Sequence, residues 1–236
     1  MWSEKYRFFH ELFLDSMKEP EFTVCPIHID QSYFDNNLYQ TKGTHSWNGC
    51  SLKIDLLIER LKTATSSYIL FTDIDIIAKC DIYKNLKIHI DNEDTMVFLQ
   101  EGSDEGTKFN IGFILLKVCP EVIEFWNLVK TKMNETPGHD QTYANDLIKD
   151  YKSKWARFDN QNFTCSNIWK GQPFSIIQPL SSCLGKEFDF AEKIYFTNQV
   201  CNIQDYVKYI PQDIIPFIYK FQELINNYHK AKQTNH

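Results

Sequence analysis

The segment at residues 68–75 constrains the fold more than any other part of the chain. It begins with four consecutive apolar residues, which is typical of a strand buried on both faces of a sheet. Asp73 and Asp75 follow after Thr72, and residues i and i+2 of an extended backbone point to the same side. Two neighbouring carboxylates repel each other unless a cation offsets their charge. The segment therefore predicts a buried strand that ends either at a divalent-metal site or simply in two capping carboxylates.

Around this segment, strand-like apolar runs alternate with helical patterns, which favours an α/β fold. Because the chain contains no internal repeat or linker, we predict one domain over residues 1–236, in which helices flank a mostly parallel central sheet. The further strands are predicted at residues 22–29, 96–99 and 111–116. Helices are predicted at residues 6–17, after a cap at Ser51, after Pro120, near residues 138–140, and at about 211–230, where the last helix packs on the domain.

Composition excludes several classes of function. The 236 residues are 43% hydrophobic and carry a net charge of −6, without the basic stretch typical of a nucleic-acid-binding protein. No run reaches the roughly 18 apolar residues of a membrane span. The start of the chain lacks the apolar core of a signal peptide, so we expect a cytoplasmic protein. The seven cysteines include no Cys-x-x-Cys pair, which predicts a reducing compartment and no zinc site.

Three further groups of polar residues accompany the two aspartates. Lys53 lies on the helix before the strand, where it would reach a phosphate or simply face solvent. Asn110 and Gly112 begin another apolar run, either as a ligand-binding edge or as an ordinary turn. Asp140 and Gln141 stand where a helix begins, a position that favours Asp on electrostatic grounds alone. Taken singly, none of these residues identifies a function.

Taken in order, these groups resemble the signature of GT-A-fold glycosyltransferases, and in particular the nucleotide-diphospho-sugar transferases that include the glycogenin and galactinol synthase group. Other stretches are similar to a branch of these enzymes found in algae, microbes and large DNA viruses. The resemblance extends from about Tyr6 to Asn198. The stretches that carry this second likeness are Glu4-Lys5-Tyr6 with Ser16, Ser46-Trp47-x-x-Cys50-x-x-Lys53, and Phe188-Asp189-Phe190.

The resemblance implies a Rossmann-like GT-A domain with one nucleotide-sugar site. It implies that Tyr6 packs near the nucleotide base and that Lys53 contacts the diphosphate or the donor sugar. Asp73 and Asp75 would bind Mn²⁺ or Mg²⁺, and Asp73 would also lie near the ribose. Thr72, immediately before them, is included among the donor-binding residues.

The same resemblance assigns the sugar half of the site. Asn110, Gly112 and Gln141 would line the donor-sugar pocket, and Asp140 is the candidate catalytic carboxylate near the anomeric carbon. Whether the reaction retains or inverts the anomeric configuration stays open. An inverting enzyme needs a general base, and the loop that carries Glu101, Asp104 and Glu105 offers three.

The chain departs from its relatives at two places. Many of them take a third metal ligand from a late histidine, whereas the corresponding stretch here reads Tyr195-Phe196-Thr197-Asn198. They also have a strand before the equivalent of Tyr6, where this chain has only five residues. The first departure concerns metal affinity and activity. The second leaves two alternatives, either a shortened first strand or a numbered chain that begins inside the nucleotide-binding unit.

We therefore predict a metal-dependent glycosyltransferase, with hexosyl transfer expected. Its partners would be a nucleoside-diphosphate sugar, with a UDP-sugar favoured, and a glycan, protein or small-molecule acceptor. One alternative is a haloacid-dehalogenase-like phosphohydrolase, although such enzymes carry their Asp-x-Asp near the start of the chain and Ile76-Ile77 replace the usual following residues. The other is a non-catalytic GT-A module that binds sugar nucleotides, which the missing histidine motivates.

Overall fold

A computed structural model describes residues 3–30, 46–102, 108–136, 138–181 and 188–233. Helices and strands alternate along the described chain, which confirms the predicted α/β class. The helices are α1 (Arg7–Ser16), α2 (Ser46–Thr63), α3 (Ile82–Asp91), α4 (Pro120–Glu135), α5 (Asp140–Leu147), α6 (Asp189–Val200) and α7 (Ile215–Gln233). The strands are β1 (Tyr68–Thr72), β2 (Ile77–Ala78), β3 (Met96–Gln100), β4 (Phe109–Lys117), β5 (Trp155–Arg157), β6 (Phe163–Cys165) and β7 (Ile176–Gln178).

The main sheet has the strand order β1-β4-β3-β5. Strands β1, β3 and β5 run in the same direction, and β4 lies antiparallel between β1 and β3. Three of the four strands therefore run in the same direction, as expected for a mostly parallel sheet, and β4 is the reversed strand. A smaller sheet of order β2-β7-β6 adjoins it.

The two faces of β4 pack against two different hydrophobic clusters. Ile114 and Leu116 belong to a cluster that includes residues of α2, α4 and α5. Phe113 and Leu115 belong to the other cluster, which includes α1, the smaller sheet and α6. Because successive side chains of a strand point to opposite faces, one apolar strand anchors both layers. This arrangement explains why residues 111–116 form an unbroken apolar run.

Two sequence-based expectations about this half of the chain were wrong. Residues 22–29 form no strand beyond an isolated bridge at His28, since Pro26 lacks a backbone donor and most of these side chains are at least partly exposed. Ser51 is not a cap, because α2 already begins at Ser46; its hydroxyl accepts a hydrogen bond from Lys130 instead.

The burial of β1 also differs from the expectation. This strand is only half-buried, because it lies at the end of the strand order and pairs with β4 alone among the described strands. The elements without a clear sequence pattern were α3, the smaller sheet and α6. None of the described helices is long and apolar enough to cross a membrane.

The last helix begins close to where the sequence predicts it. Phe221 of α7 contacts the rings of Phe188 and Tyr195, at the start and in the middle of α6. Its apolar stripe therefore packs on a helix of the same chain. That residues 1–236 form a single domain stays a prediction.

Candidate functional site

The polar residues singled out in the sequence converge on one cavity of about 570 Å³. It lies where β1 and β3 end and antiparallel β4 begins, which is the edge where open α/β sheets bind ligands. Thr72 lies outside this cavity and lines another one, and Gly112 supports the wall from behind. The predicted residues that line the cavity are Tyr6, Lys53, Asp73, Asp75, Asn110, Asp140 and Gln141, together with Glu101.

Lys53 and Asp73 form an ion pair at the floor of the cavity. The Lys53 Nζ lies 2.7 Å from the Asp73 Oδ1 and donates a second hydrogen bond to the Ile111 carbonyl at 3.2 Å. Burial alone would raise the pKa of Asp73, but the charge of Lys53 outweighs it and holds that pKa below its usual value. Burial would likewise lower the pKa of Lys53, and Asp73 reverses this effect. Both groups therefore stay charged.

Asp75 pairs with a lysine that the sequence reasoning missed. The Lys193 Nζ, on α6, lies 2.8 Å from the Asp75 Oδ2. The Asp75 side chain is only 7% exposed, and its Oδ1 accepts no hydrogen bond from any described residue. Burial would lower the pKa of Lys193, but Asp75 and Asp189 together hold it above its usual value. The only sequence signal near Lys193 is the Phe-Asp-Phe stretch at residues 188–190, where α6 begins.

Gln178 covers the wall beside Asp73. Its Nε2 lies 3.4 Å from the Asp73 Oδ2, and its side chain passes directly over Gly112. The Gly112 carbonyl accepts the Asp73 backbone N–H at 2.6 Å, and the Gly112 N–H donates to the Asn110 Oδ1 at 2.6 Å. Gly112 thus joins the start of β4 to the aspartate while leaving room for Gln178.

The start of α5 is tied to β4 by amide side chains. Gln141 accepts the Ile111 N–H at 3.3 Å and donates to the Glu101 carboxylate. Asn145, one turn later, bonds both the N–H and the carbonyl of Phe109, each at 2.9 Å. These bonds hold Asp140 at the cavity wall, where it is almost fully buried and its Oδ1 accepts the Gln141 N–H at 2.9 Å.

Asp140 also belongs to a second group of potential metal ligands. One ligand atom each of Cys50, His139 and Asp140 lies within 4.8 Å of the other two. Sulfur, nitrogen and oxygen ligands together suit a borderline ion such as Zn²⁺, whereas the oxygen ligands of Asp73 and Asp75 suit Mn²⁺ or Mg²⁺. Burial, with a smaller effect of Asp140, raises the pKa of Cys50 to about 12. The search for a Cys-x-x-Cys pair missed this group, because Cys50 lies on α2 whereas His139 and Asp140 stand at the start of α5.

Two other residues named from the sequence are also placed by the structure. The Tyr6 ring packs edge-on against Phe190 at 5.2 Å at the cavity wall, and burial raises the pKa of its hydroxyl. Thr197, in the stretch at residues 195–198, is fully buried within α6 and donates to the Lys193 carbonyl at 2.7 Å. Asp104 and Glu105 lie outside the described residues.

Comparison with known proteins relates the chain to glycosyltransferases by structure alone, since no family model and no curated protein matches its sequence. The apo form of the glycosyltransferase GlyE from Streptococcus pneumoniae TIGR4 is 12% identical over 88% of this chain and 60% of its own, with a TM-score of 0.53. A glycosyltransferase involved in glycosylation of the major capsid of PBCV-1 (12% identity, 68% and 80% coverage) has a TM-score of 0.49. Mouse xyloside xylosyltransferase 1 (14%, 75% and 72%) has a TM-score of 0.44.

Of these three structures, GlyE has a TM-score above 0.5, and its likeness to this chain concerns the fold. The chain spans about three fifths of the length of the GlyE chain. The α/β architecture, with helices beside a sheet that contains parallel strands and a cavity at the ends of β1 and β3, agrees with the fold expected from the sequence motifs. The chain thus has a GT-A-like glycosyltransferase fold.

Proposed function

We propose that the chain is a glycosyltransferase that moves a sugar, expected to be a hexose, from a nucleoside-diphosphate donor to an acceptor. The observation that carries this proposal is the convergence of Lys53, Asp73, Asp75, Asp140 and Gln141 on one cavity of a GT-A-like fold. These residues come from three segments of the chain, and the fold brings them together at the ligand-binding edge of the sheet. A UDP-sugar is the favoured donor.

The charges of the cavity support the need for a divalent cation. Its described lining carries four carboxylates, Asp73, Asp75, Glu101 and Asp140, against the ammonium groups of Lys53 and Lys193. A site with excess negative charge repels a diphosphate unless a cation is present.

The residues fit such a cation. Asp75 Oδ1 is buried without a hydrogen-bond donor among the described residues, and the Asp73 side chain is 36% exposed. Asp73 and Asp75 would hold Mn²⁺ or Mg²⁺, which when bound acts as a Lewis acid on the departing diphosphate.

The protein groups have distinct tasks in this proposal. Lys53 contributes a fixed positive charge beside the diphosphate, and Tyr6 provides an aromatic surface for the base. Asn110 and Gln141 orient the sugar through their amides. Asp140, held rigidly at the start of α5, presents its carboxylate to the anomeric carbon. Glu101, which contacts Gln141, is the described carboxylate available as a base if the reaction inverts.

The acceptor belongs to one of three chemical classes, a glycan, a protein or a small molecule. A reducing compartment, the cytoplasm, is the expected location.

One alternative retains support. The stretch at residues 195–198 contains no histidine, and this departure motivates a non-catalytic module that binds sugar nucleotides. The fold shared with GlyE favours sugar transfer over the haloacid-dehalogenase reaction. The two surviving hypotheses differ in whether a bound donor is consumed.

A donor screen tests the proposal. The protein is incubated with a panel of UDP- and GDP-sugars with and without Mn²⁺, and released nucleoside diphosphate is measured. Turnover that depends on Mn²⁺ and is lost in the Asp73→Ala/Asp75→Ala variant supports the proposal. A control variant, Asp91→Ala/Asp146→Ala, removes two carboxylates from exposed ion pairs and should behave as the parent. Unchanged turnover in the first variant contradicts the proposal, and binding without turnover identifies a module.

A further inference from the structure

The contact between Lys193 and Asp75 occupies a position that a metal ion would need. Their side chains are 17% and 7% exposed, respectively, and the Nζ–Oδ2 distance is 2.8 Å. The ammonium covers one oxygen of the carboxylate, and the other oxygen accepts no hydrogen bond from the described residues. Asp75 therefore already has a monovalent cation, supplied by the chain itself.

The position of Lys193 is set by the packing of α6. The Phe190 ring, one turn earlier on this helix, contacts the rings of Tyr6 and Phe9 at 5.2 Å each. Ile194, the next residue, belongs to the large hydrophobic cluster. The helix thus holds the Lys193 backbone beside the cavity, and only the end of its long side chain can move.

The two lysines of the site are not equivalent. Lys53 donates to the Ile111 carbonyl as well as pairing with Asp73, so this carbonyl would still hold it if Asp73 bound a metal. Lys193 is held at its charged end by Asp75, with Asp189 adding attraction. A divalent ion on Asp75 would repel the neighbouring ammonium strongly in this buried setting.

We propose that Lys193 is a resident cation of Asp75, which a divalent metal displaces, and that the displaced ammonium then binds the donor diphosphate. The proposal rests on the proposed function and adds to it a coupling between metal and nucleotide. The anionic oxygens of the diphosphate would bind the metal and would also accept hydrogen bonds from the ammonium. Metal alone therefore binds weakly, and metal and nucleotide strengthen each other's binding. Such coupling is reciprocal by thermodynamic necessity.

The Lys193→Met variant tests this inference by calorimetry without any sugar donor. We expect Mn²⁺ alone to bind about tenfold more tightly than to the parent, within the usual range of coupling between ligands, because the competing ammonium is absent. We expect UDP to bind more weakly in the presence of Mn²⁺, and the mutual strengthening of Mn²⁺ and UDP to be reduced. Lys193→Arg retains a positive charge and should keep the weak Mn²⁺ binding of the parent.

Two controls make the outcome decisive. Lys130→Met removes a half-buried lysine that pairs with Asp55 at 2.6 Å, outside the cavity lining, and should leave Mn²⁺ affinity unchanged. If Lys193→Met does not fold, Lys193→Gln removes the same charge while keeping a polar end.

Mn²⁺ affinity that is unchanged, lower or undetectable in the folded neutral variant overturns the inference. Failure of the proposed function would look different, since Mn²⁺ would bind more tightly to Lys193→Met while no nucleotide sugar is consumed by the parent.

Discussion

The side chain of Gln178 crosses Gly112 so closely that a methyl group on Gly112 would lie 2.1 Å from the Gln178 Nε2. Gln178 is only 3% exposed, so its side chain cannot simply swing into solvent. The same amide lies at 3.4 Å from the Asp73 carboxylate. Gly112 is therefore required because a neighbouring side chain approaches its backbone, on the wall that supports the candidate metal site.

Gly112→Ala should both destabilise the protein and disturb the site. We expect a loss of about 1–3 kcal/mol in the free energy of unfolding, as for other overpacked interiors, measured by urea denaturation. UDP binding should weaken because Gln178 is pushed toward Asp73. The double variant Gly112→Ala/Gln178→Ala removes the clash. Its loss in the free energy of unfolding should therefore be smaller than the sum of the losses of the two single variants. Strict additivity would show that the two residues do not interact.

Variants of Lys53 should show that the stability of the protein and its affinity for UDP depend on this residue in different ways. Lys53→Met leaves Asp73 without its ion-pair partner, and we expect about 1–3 kcal/mol of destabilisation, less than for a fully buried pair because Asp73 is partly exposed. Lys53→Met/Asp73→Asn removes both charges and should recover most of this stability. UDP binding in the presence of Mn²⁺ should remain impaired in both variants. Full recovery of UDP affinity in the double variant would exclude a donor-binding role for the pair.

Asp140→Asn should remove chemistry while preserving the local structure. The amide oxygen of Asn can still accept the Gln141 N–H that Asp140 accepts now, so the start of α5 should be retained. We expect turnover to fall by about 10²–10⁴-fold, the usual contribution of a positioned acid or base, with nearly unchanged UDP affinity. Asp146→Asn, on the exposed side of the same helix, serves as the control. Wild-type turnover in Asp140→Asn would remove Asp140 from the catalytic step.

Cobalt spectroscopy should distinguish the two groups of possible metal ligands. If the cation binds Asp73 and Asp75, bound Co²⁺ has oxygen ligands and shows no thiolate charge-transfer band. That spectrum should be unaffected by Cys50→Ser and lost in Asp73→Ala/Asp75→Ala. A thiolate band that disappears in Cys50→Ser would instead assign the ion to Cys50, His139 and Asp140, which lie close enough together to compete for it.

The cysteines should differ in alkylation rate as their pKa values differ. The thiolate is the nucleophile, and raising the pKa of Cys50 from 9.0 to about 12 lowers its thiolate fraction at neutral pH by about three orders of magnitude. Burial also raises the pKa of Cys165. At pH 7.5, iodoacetamide should therefore modify the exposed Cys25 and Cys80 well before these two, as followed by peptide mass spectrometry. Equal rates at Cys25 and Cys50 would contradict the buried environment of Cys50.

Much of the site was predictable because its residues lie at the ends of strongly patterned elements. Strand β1 ends directly before Asp73. The helical pattern after residue 139 places Asp140 at the start of α5. In each case the chemistry-bearing residue follows a local signal, either hydrophobic periodicity or a helix start, that neighbouring residues carry.

The predictions failed where pairing partners, rather than local pattern, determine the structure. Residues 22–29 alternate like a strand, yet no strand pairs with them among the described residues. Strand β1 has the composition of a central strand, yet it lies at the end of the sheet order. The local sequence of a segment encodes neither whether a partner strand lies beside it nor its position in the sheet.

What the sequence by itself determined is the class of fold and the order of the polar residues along the chain, since both follow from spacing. Only the tertiary structure decided which polar side chains contact each other. Lys193 reaches Asp75 across 118 positions, and Gln178 reaches Asp73 across 105. The physical reason is that an ion pair between distant elements depends on how helices pack on a sheet, and α6 shows no local pattern that would predict its position beside Asp75.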